Sequence, residues 1–154
     1  MKNLLFRLPF FGAILVIFIS ASSPLQDKGG DGALGLWLTG SGKAKIRIYK
    51  DAANKYNGKI AWLREPKYED GTVKVDKNNP DPAKNKTPLL GLNNLSGFVY
   101  DGDNEWTDGH IYDPENGKSY KCKMELTDAN TLEVRGYVGI SLFGRTDVWK
   151  RQKE

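Results

Sequence analysis

With 154 residues and a formal net charge of only +4, the chain has room for one ordinary domain and carries no charge excess of the kind that marks a nucleic-acid protein. Its single cysteine excludes an internal disulfide framework, and its single histidine excludes a metal site built on two histidines.

Lys2 and Arg7 precede an apolar run from Leu8 to Ile19, and small residues follow at Ser20, Ala21, Ser22 and Ser23. A positive start, a short apolar stretch and a small-residue cleavage region make an export signal, expected over residues 1–21. The run is shorter than the about 20 residues that cross a bilayer, so no stable membrane span is expected after removal. No cysteine lies near the cleavage region, which argues against a lipid anchor. Removing Lys2 and Arg7 lowers the formal charge of +4 by two. The remaining lysines alternate with apolar residues instead of clustering, as on a solvated sheet face. The expected compartment is the periplasm or the exterior, and no nucleic-acid partner is expected.

Residues 22–32 are polar, rich in glycine and without period, and read as a flexible lead-in. From Leu34 the apolar residues recur every second position. Lys43-Ala44-Lys45-Ile46-Arg47-Ile48-Tyr49 sets Ala44, Ile46 and Ile48 on one face and the charges on the other. Tyr56 to Trp62 and Thr131 to Tyr137 repeat the pattern. Period two with one charged face is half-buried antiparallel sheet. Strands are predicted at 34–40, 43–50, 55–64, 95–101, 104–112, 118–126, 131–138 and 145–151, in a single domain over 33–154. Short strands joined by tight turns make an all-β, eight-stranded antiparallel up-and-down barrel the expected fold, with a sandwich as the alternative. The exception to tight connection is Pro66 to Pro88, a long stretch of Pro, Asn, Asp and Lys.

The turns allow register to be predicted. Pro114-Glu115-Asn116-Gly117 is the loop of a hairpin over 106–120, with Gly117 at the φ > 0 position. Asp113 then faces Lys118, Ile111 faces Tyr120, and Gly109 faces Cys122. Downstream, Asp128-Ala129-Asn130 forms a three-residue loop with Asn130 left-handed. Thr127 then faces Thr131, Leu126 faces Leu132, Met124 faces Val134, Cys122 faces Gly136, and Tyr120 faces Val138. Both hairpins send the same residues of the shared strand inward, which a one-residue slip would reverse. Cys122 thus lies on the inner face between Gly109 and Gly136. A buried, inert thiol is the expectation; the flanking glycines mark either sharp coiling of the sheet or a small cavity.

The same register turns His110 toward solvent, against its use as a general base. Asp76-Lys77-Asn78-Asn79-Pro80-Asp81 lacks the glycine and glutamate of an EF-hand loop and reads as Asx-turn chemistry. Asp101-Gly102-Asp103-Asn104-Glu105 reads the same way. Trp37, Trp62, Trp106 and Trp149 are many tryptophans for this length; core or end-plugging roles are the usual use, with sugar or apolar-ligand contact as the alternative.

Gly35-Leu36-Trp37 on the first strand, with Arg145 and Arg151 on the last, resembles the lipocalin-type barrel, in which a C-terminal arginine packs across a tryptophan that closes one end. A longer set of motifs resembles one family. It comprises Tyr56-x-Gly58-x-Ile60-x-Trp62, Asn79-Pro80-Asp81, Pro88-Leu89-x-Gly91, Trp106-x-x-Gly109-x-Ile111-Tyr112-Asp113-Pro114-x-x-Gly117-Lys118-x-Tyr120, and Leu132-x-Val134-Arg135-Gly136-Tyr137-x-Gly139-x-Ser141-Leu142-Phe143-Gly144-Arg145-Thr146-x-x-Trp149. The family is that of small exported bacterial proteins labelled domain of unknown function 2147, over about residues 35 to 151. The resemblance implies export and a lipocalin-like barrel, and brings no activity and no catalytic residues.

A non-enzymatic binding module is the expected function, holding a small, mostly apolar ligand in one barrel mouth against Trp62, Tyr120, Cys122 and Phe143. The alternative is a module with a filled core whose 66–88 or 139–144 loop meets a protein partner. A carboxylate and His110 hydrolase is the third reading. No cofactor and no metal are expected.

Overall fold

The structure is a computed structural model that describes residues 29–154; the expected signal lies outside the described residues. Eight antiparallel strands form one closed barrel in chain order: β1 (Gly35–Leu38), β2 (Ala44–Lys50), β3 (Tyr56–Leu63), β4 (Asn93–Gly102), β5 (Glu105–Asp113), β6 (Lys118–Asp128), β7 (Thr131–Tyr137) and β8 (Arg145–Gln152). Closure comes from β1 pairing with β8, where Trp37 faces Arg151. The predicted strands match these in number and order.

The two predicted hairpins hold for most of their length. Asp113 pairs with Lys118, Ile111 with Tyr120 and Gly109 with Cys122, and Gly117 has φ 69°. Across β6 and β7, Leu126 pairs with Leu132, Met124 with Val134 and Cys122 with Gly136. The turn between them departs from expectation. Asp128, not Thr127, pairs with Thr131 after a register irregularity. Asn130 is not left-handed, and its N–H donates instead to Asp128 Oδ1 at 2.7 Å. An Asx turn does there what a left-handed residue was expected to do. The β7 ladder ends at Tyr137, so Tyr120 and Val138 do not extend it.

Two bulges reset side-chain direction where plain alternation would mislead. In β5 the register shifts between Trp106 and Gly109, and Asp108 takes φ 59°. Both Trp106 and Gly109 can therefore face the core. In β3 the register shifts opposite Lys45 and Ile46, so Ile60 pairs with Ile46 while Trp62 pairs with Lys45. Bulges add twist and bend, which closing a sheet into a small barrel requires.

Trp37, Trp106, Trp149, Phe98, Leu95, Ile46, Ile48, Met124, Leu132, Val134 and Cys122 fill the core. One barrel end is plugged. A 3-10 turn at Gly29–Ala33 buries Gly32 and Ala33. Its carbonyls accept the indole N–H of Trp37 (Ala33 O, 2.8 Å) and that of Trp106 (Gly30 O, 3.2 Å). The last residues of the expected lead-in are thus part of the domain. Glycine is required here, because a Cβ at Gly30 would lie 1.9 Å from Tyr56 Oη.

Candidate functional site

In an up-and-down barrel alternate connections share an end. The loops at 51–55, 103–104 and 129–130 therefore lie at the plugged end, and those at 39–43, 64–92, 114–117 and 138–144 surround the other. Contacts among the second set agree. Lys43 Nζ reaches Glu115 Oε1 at 3.4 Å, and Asn78 Nδ2 donates to Pro114 O and Glu115 O at 3.1 and 2.8 Å.

At this end a cleft of about 550 Å³ opens between the walls of β5 to β8 and the 39–43 loop. Its floor is apolar: Ile111, Val134 and Gly136. Its rim is polar: Asp113, Asn116, Tyr120, Arg145 and Asp147. Arg145 and Asp147 belong to the inward face of β8, because they pair with Gly136 and Val134 as Trp149 pairs with Leu132. Both reach solvent because they stand at the open end.

The rim carboxylates are held by hydrogen bonds from the protein. Asp113 accepts from the Glu115 N–H at 2.9 Å and from Asn116 Nδ2 at 2.8 Å. Asp147 Oδ2 accepts from the Trp149 indole at 2.7 Å and from the Gly40 N–H at 3.3 Å. Asn116 Nδ2 also donates to the Tyr120 hydroxyl at 3.0 Å.

Of the four contacts expected from sequence, Tyr120 lines the cleft. Cys122 lies beneath it, fully buried, and burial pushes its thiol up to about 12. A cavity between its two glycines is not what they create. A Cβ at Gly109 would meet the Phe98 ring at 2.3 Å, so that ring already occupies the space. Gly136 instead borders the open cleft. Trp62 is 40% exposed on the outer wall with Lys45 Nζ 5.3 Å from its ring, because the β3 bulge reverses its direction. Phe143 is 77% exposed on a short 3-10 turn, Ser141–Phe143, outside the cleft. Reasoning from sequence missed Arg145, Asp147 and Asn116. The first two alternate with Trp149 on one strand, and that alternation was the available signal.

The two loops singled out in the sequence are built differently. The 64–92 loop is tied to the outer wall. Asp76, fully buried, accepts from the Tyr112 hydroxyl at 2.7 Å and from Asn79 Nδ2 at 2.6 Å. Asn79 Oδ1 accepts the Asp81 N–H at 2.9 Å, the expected Asx turn. Burial, then the bond to Asp76, raises the Tyr112 phenol to about 12. Asp103 and Asn104 likewise form a tight turn, with φ 50° and 61°, as type I′ hairpins require. Among the described residues, side-chain hydrogen bonds to the 138–144 loop reach its backbone carbonyls alone. Arg135 donates from Nε to Ser141 O at 2.8 Å and from Nη2 to Leu142 O at 3.2 Å. Val138, Ile140, Leu142 and Phe143 all remain exposed. His110 is exposed on the outer face of β5, remote in direction from the cleft.

Among the described residues no helix is long and apolar enough to cross a membrane. The family described as "Uncharacterized protein conserved in bacteria (DUF2147)" matches residues 35–151. No curated protein matches the chain. Among solved structures, a similar one is protein HP1028 from the human pathogen Helicobacter pylori, described as belonging to the lipocalin family. The TM-score is 0.66 at 22% identity, over 79% of this chain and 83% of that one. At this identity the likeness establishes a shared lipocalin-like barrel.

Proposed function

The chain belongs to the DUF2147 family, and we propose that it is an exported binding protein holding a small amphipathic ligand at the open mouth of its barrel. One observation carries the reading: a cleft of about 550 Å³ with an apolar floor and a polar rim. Small-ligand sites are concave, about 300–1,000 Å³, and mostly apolar with a few placed polar groups. The lipocalin assignment of the Helicobacter pylori protein supports a binding role by analogy of fold. The apolar N-terminal run supports export. The ligand is more polar than the sequence suggested, because the barrel below the floor is filled by Cys122, Phe98 and Met124. Only a molecule that stays in the mouth fits. A binding role, not catalysis, agrees with His110 facing away from the cleft.

Native mass spectrometry of protein purified without detergent tests this. A retained adduct, lost when Gly136→Leu fills the floor, is the expected outcome. A clean unliganded mass together with no mouth resonances shifted by amphiphiles in NMR would overturn it.

A second reading has its own observation. Four large apolar side chains stand exposed on the 138–144 loop, and an exposed apolar cluster commonly marks a contact surface. Loss of a pull-down partner from the Leu142→Ser, Phe143→Ser variant would support it.

A further inference from the structure

The mouth holds hydrogen-bond donors without a partner among the described residues. Arg145 makes no side-chain hydrogen bond or ion pair with any described residue, although its guanidinium offers five N–H groups in a rigid fork. The Tyr120 hydroxyl accepts from Asn116, which leaves its own O–H free to donate. Both rim carboxylates are held by donors of the protein, Asp113 through both oxygens and Asp147 through Oδ2. The Arg145 fork, by contrast, has no partner among the described residues, and a planar anion with two parallel oxygens is the group that such a fork fits.

We infer that Arg145 is the head-group site for a medium-chain carboxylate, which Tyr120 joins with a hydroxyl bond while the chain lies on Ile111, Val134 and Gly136. This rests on the mouth being the ligand site, and it adds the ligand's chemical class. The filled core beneath keeps the chain across the mouth instead of along the barrel axis. It also separates two arginines of β8 by role: Arg151 closes the plugged end, and Arg145 stands at the open one.

The test is a calorimetric titration of the folded domain with three probes of equal tail: decanoate, decanol and decyltrimethylammonium. Arg145→Gln, Arg145→Lys and Tyr120→Phe are compared with the unaltered protein, and methyl NMR of Ile111 and Val134 reports where each probe sits. The expected result is at least tenfold tighter binding of decanoate than of the other two. Arg145→Gln should erase that preference while decanol affinity stays within twofold. Arg145→Lys should restore only part of it, since an ammonium keeps the charge but not the fork. Equal affinity for decanoate and decanol, or preference for the cation, would overturn the role of Arg145 and leave the mouth as a ligand site. Failure of all three probes to shift the two methyl groups would overturn the ligand reading as well.

Discussion

The Arg151 guanidinium lies 4.1 Å from the centre of the Trp37 ring, across the plugged end of the barrel. The N–H groups around its edge are tied down. Nε donates to Ala129 O at 2.7 Å, Nη1 to Leu34 O at 2.8 Å and Nη2 to Gly32 O at 2.6 Å. One side chain thereby joins the N-terminal turn, the first strand, the last strand and the β6–β7 turn.

Replacing Arg151 with Ala should therefore cost roughly 2–4 kcal/mol, from charged hydrogen bonds and the cation–π contact together. Arg151→Lys should recover little, because three carbonyls are met by a planar fork. Urea denaturation followed by tryptophan fluorescence measures both.

The two glycines flanking Cys122 should respond differently to a methyl group. Gly109→Ala drives Cβ to 2.3 Å from the Phe98 ring, and overpacking of a rigid aromatic should cost roughly 1–3 kcal/mol. Gly136→Ala brings Cβ to 3.2 Å from Ile111 Cγ2, with Tyr120 Cβ at an ordinary 3.8 Å; Ile111 can give way at the edge of the open cleft, so stability should change by about 0.5 kcal/mol or less. Thermal melts of the two variants decide whether the asymmetry is real.

The Cys122 thiol and the Tyr112 phenol are both raised to about 12 by burial. In the unfolded chain they ionise at their ordinary values of 9.0 and 10.0. Between those values and about 12 the folded state holds protons that the unfolded state releases. Their contribution to stability is thus complete below pH about 9 and is lost as pH rises toward 12. The urea midpoint should fall between pH 8 and pH 11, and Cys122→Ala should flatten part of the fall. At pH 8 the native thiol should resist an aromatic disulfide reagent and react at once in urea.

Asp76 is buried with donors on both oxygens, Tyr112 on Oδ1 and Asn79 on Oδ2. Removing one partner strands the other, so Tyr112→Phe should cost roughly 1–3 kcal/mol and Asp76→Ala at least as much. Limited proteolysis should then cut within 64–92 faster than it does in the unaltered protein. Unchanged cleavage in both variants would show that the loop is anchored elsewhere.

Arg135 holds the 138–144 loop by its carbonyls and also donates from Nη1 to Thr146 Oγ1 at 2.8 Å. Arg135→Gln should accelerate hydrogen exchange at Phe143 and Gly144 while lowering global stability by roughly 1 kcal/mol. Core amides of β6 and β7 that exchange by global unfolding should speed up only by the roughly fivefold that this global loss implies, well below the change in the loop.

Much of the barrel was legible because strand and turn chemistry are local. Ile46 and Ile48 alternate with charge, and Gly117 has to supply the left-handed residue that its turn needs. The bulges were not read: the Ala61–Trp62 step carries no turn signal, and Asp108-Gly109, an Asp-Gly pair that can mark a break in a strand, sits inside a run that alternates as plain strand. That is why Trp62, a reasonable interior contact by period, lies outside. The plug at Gly29–Ala33 was equally hidden, since it acts through backbone carbonyls, which any residue type presents.

Residue periodicity and turn chemistry thus determined an eight-stranded sheet, most of its hairpin register, the burial of Cys122 and the outward turn of His110. Each follows from side chains within a few positions or across one turn. Only the closed structure decided which end is plugged, which of Arg145 and Arg151 covers Trp37, and where a cleft remains. Those outcomes depend on strands far apart in the chain meeting around a circle, where coiling and packing volume override local alternation.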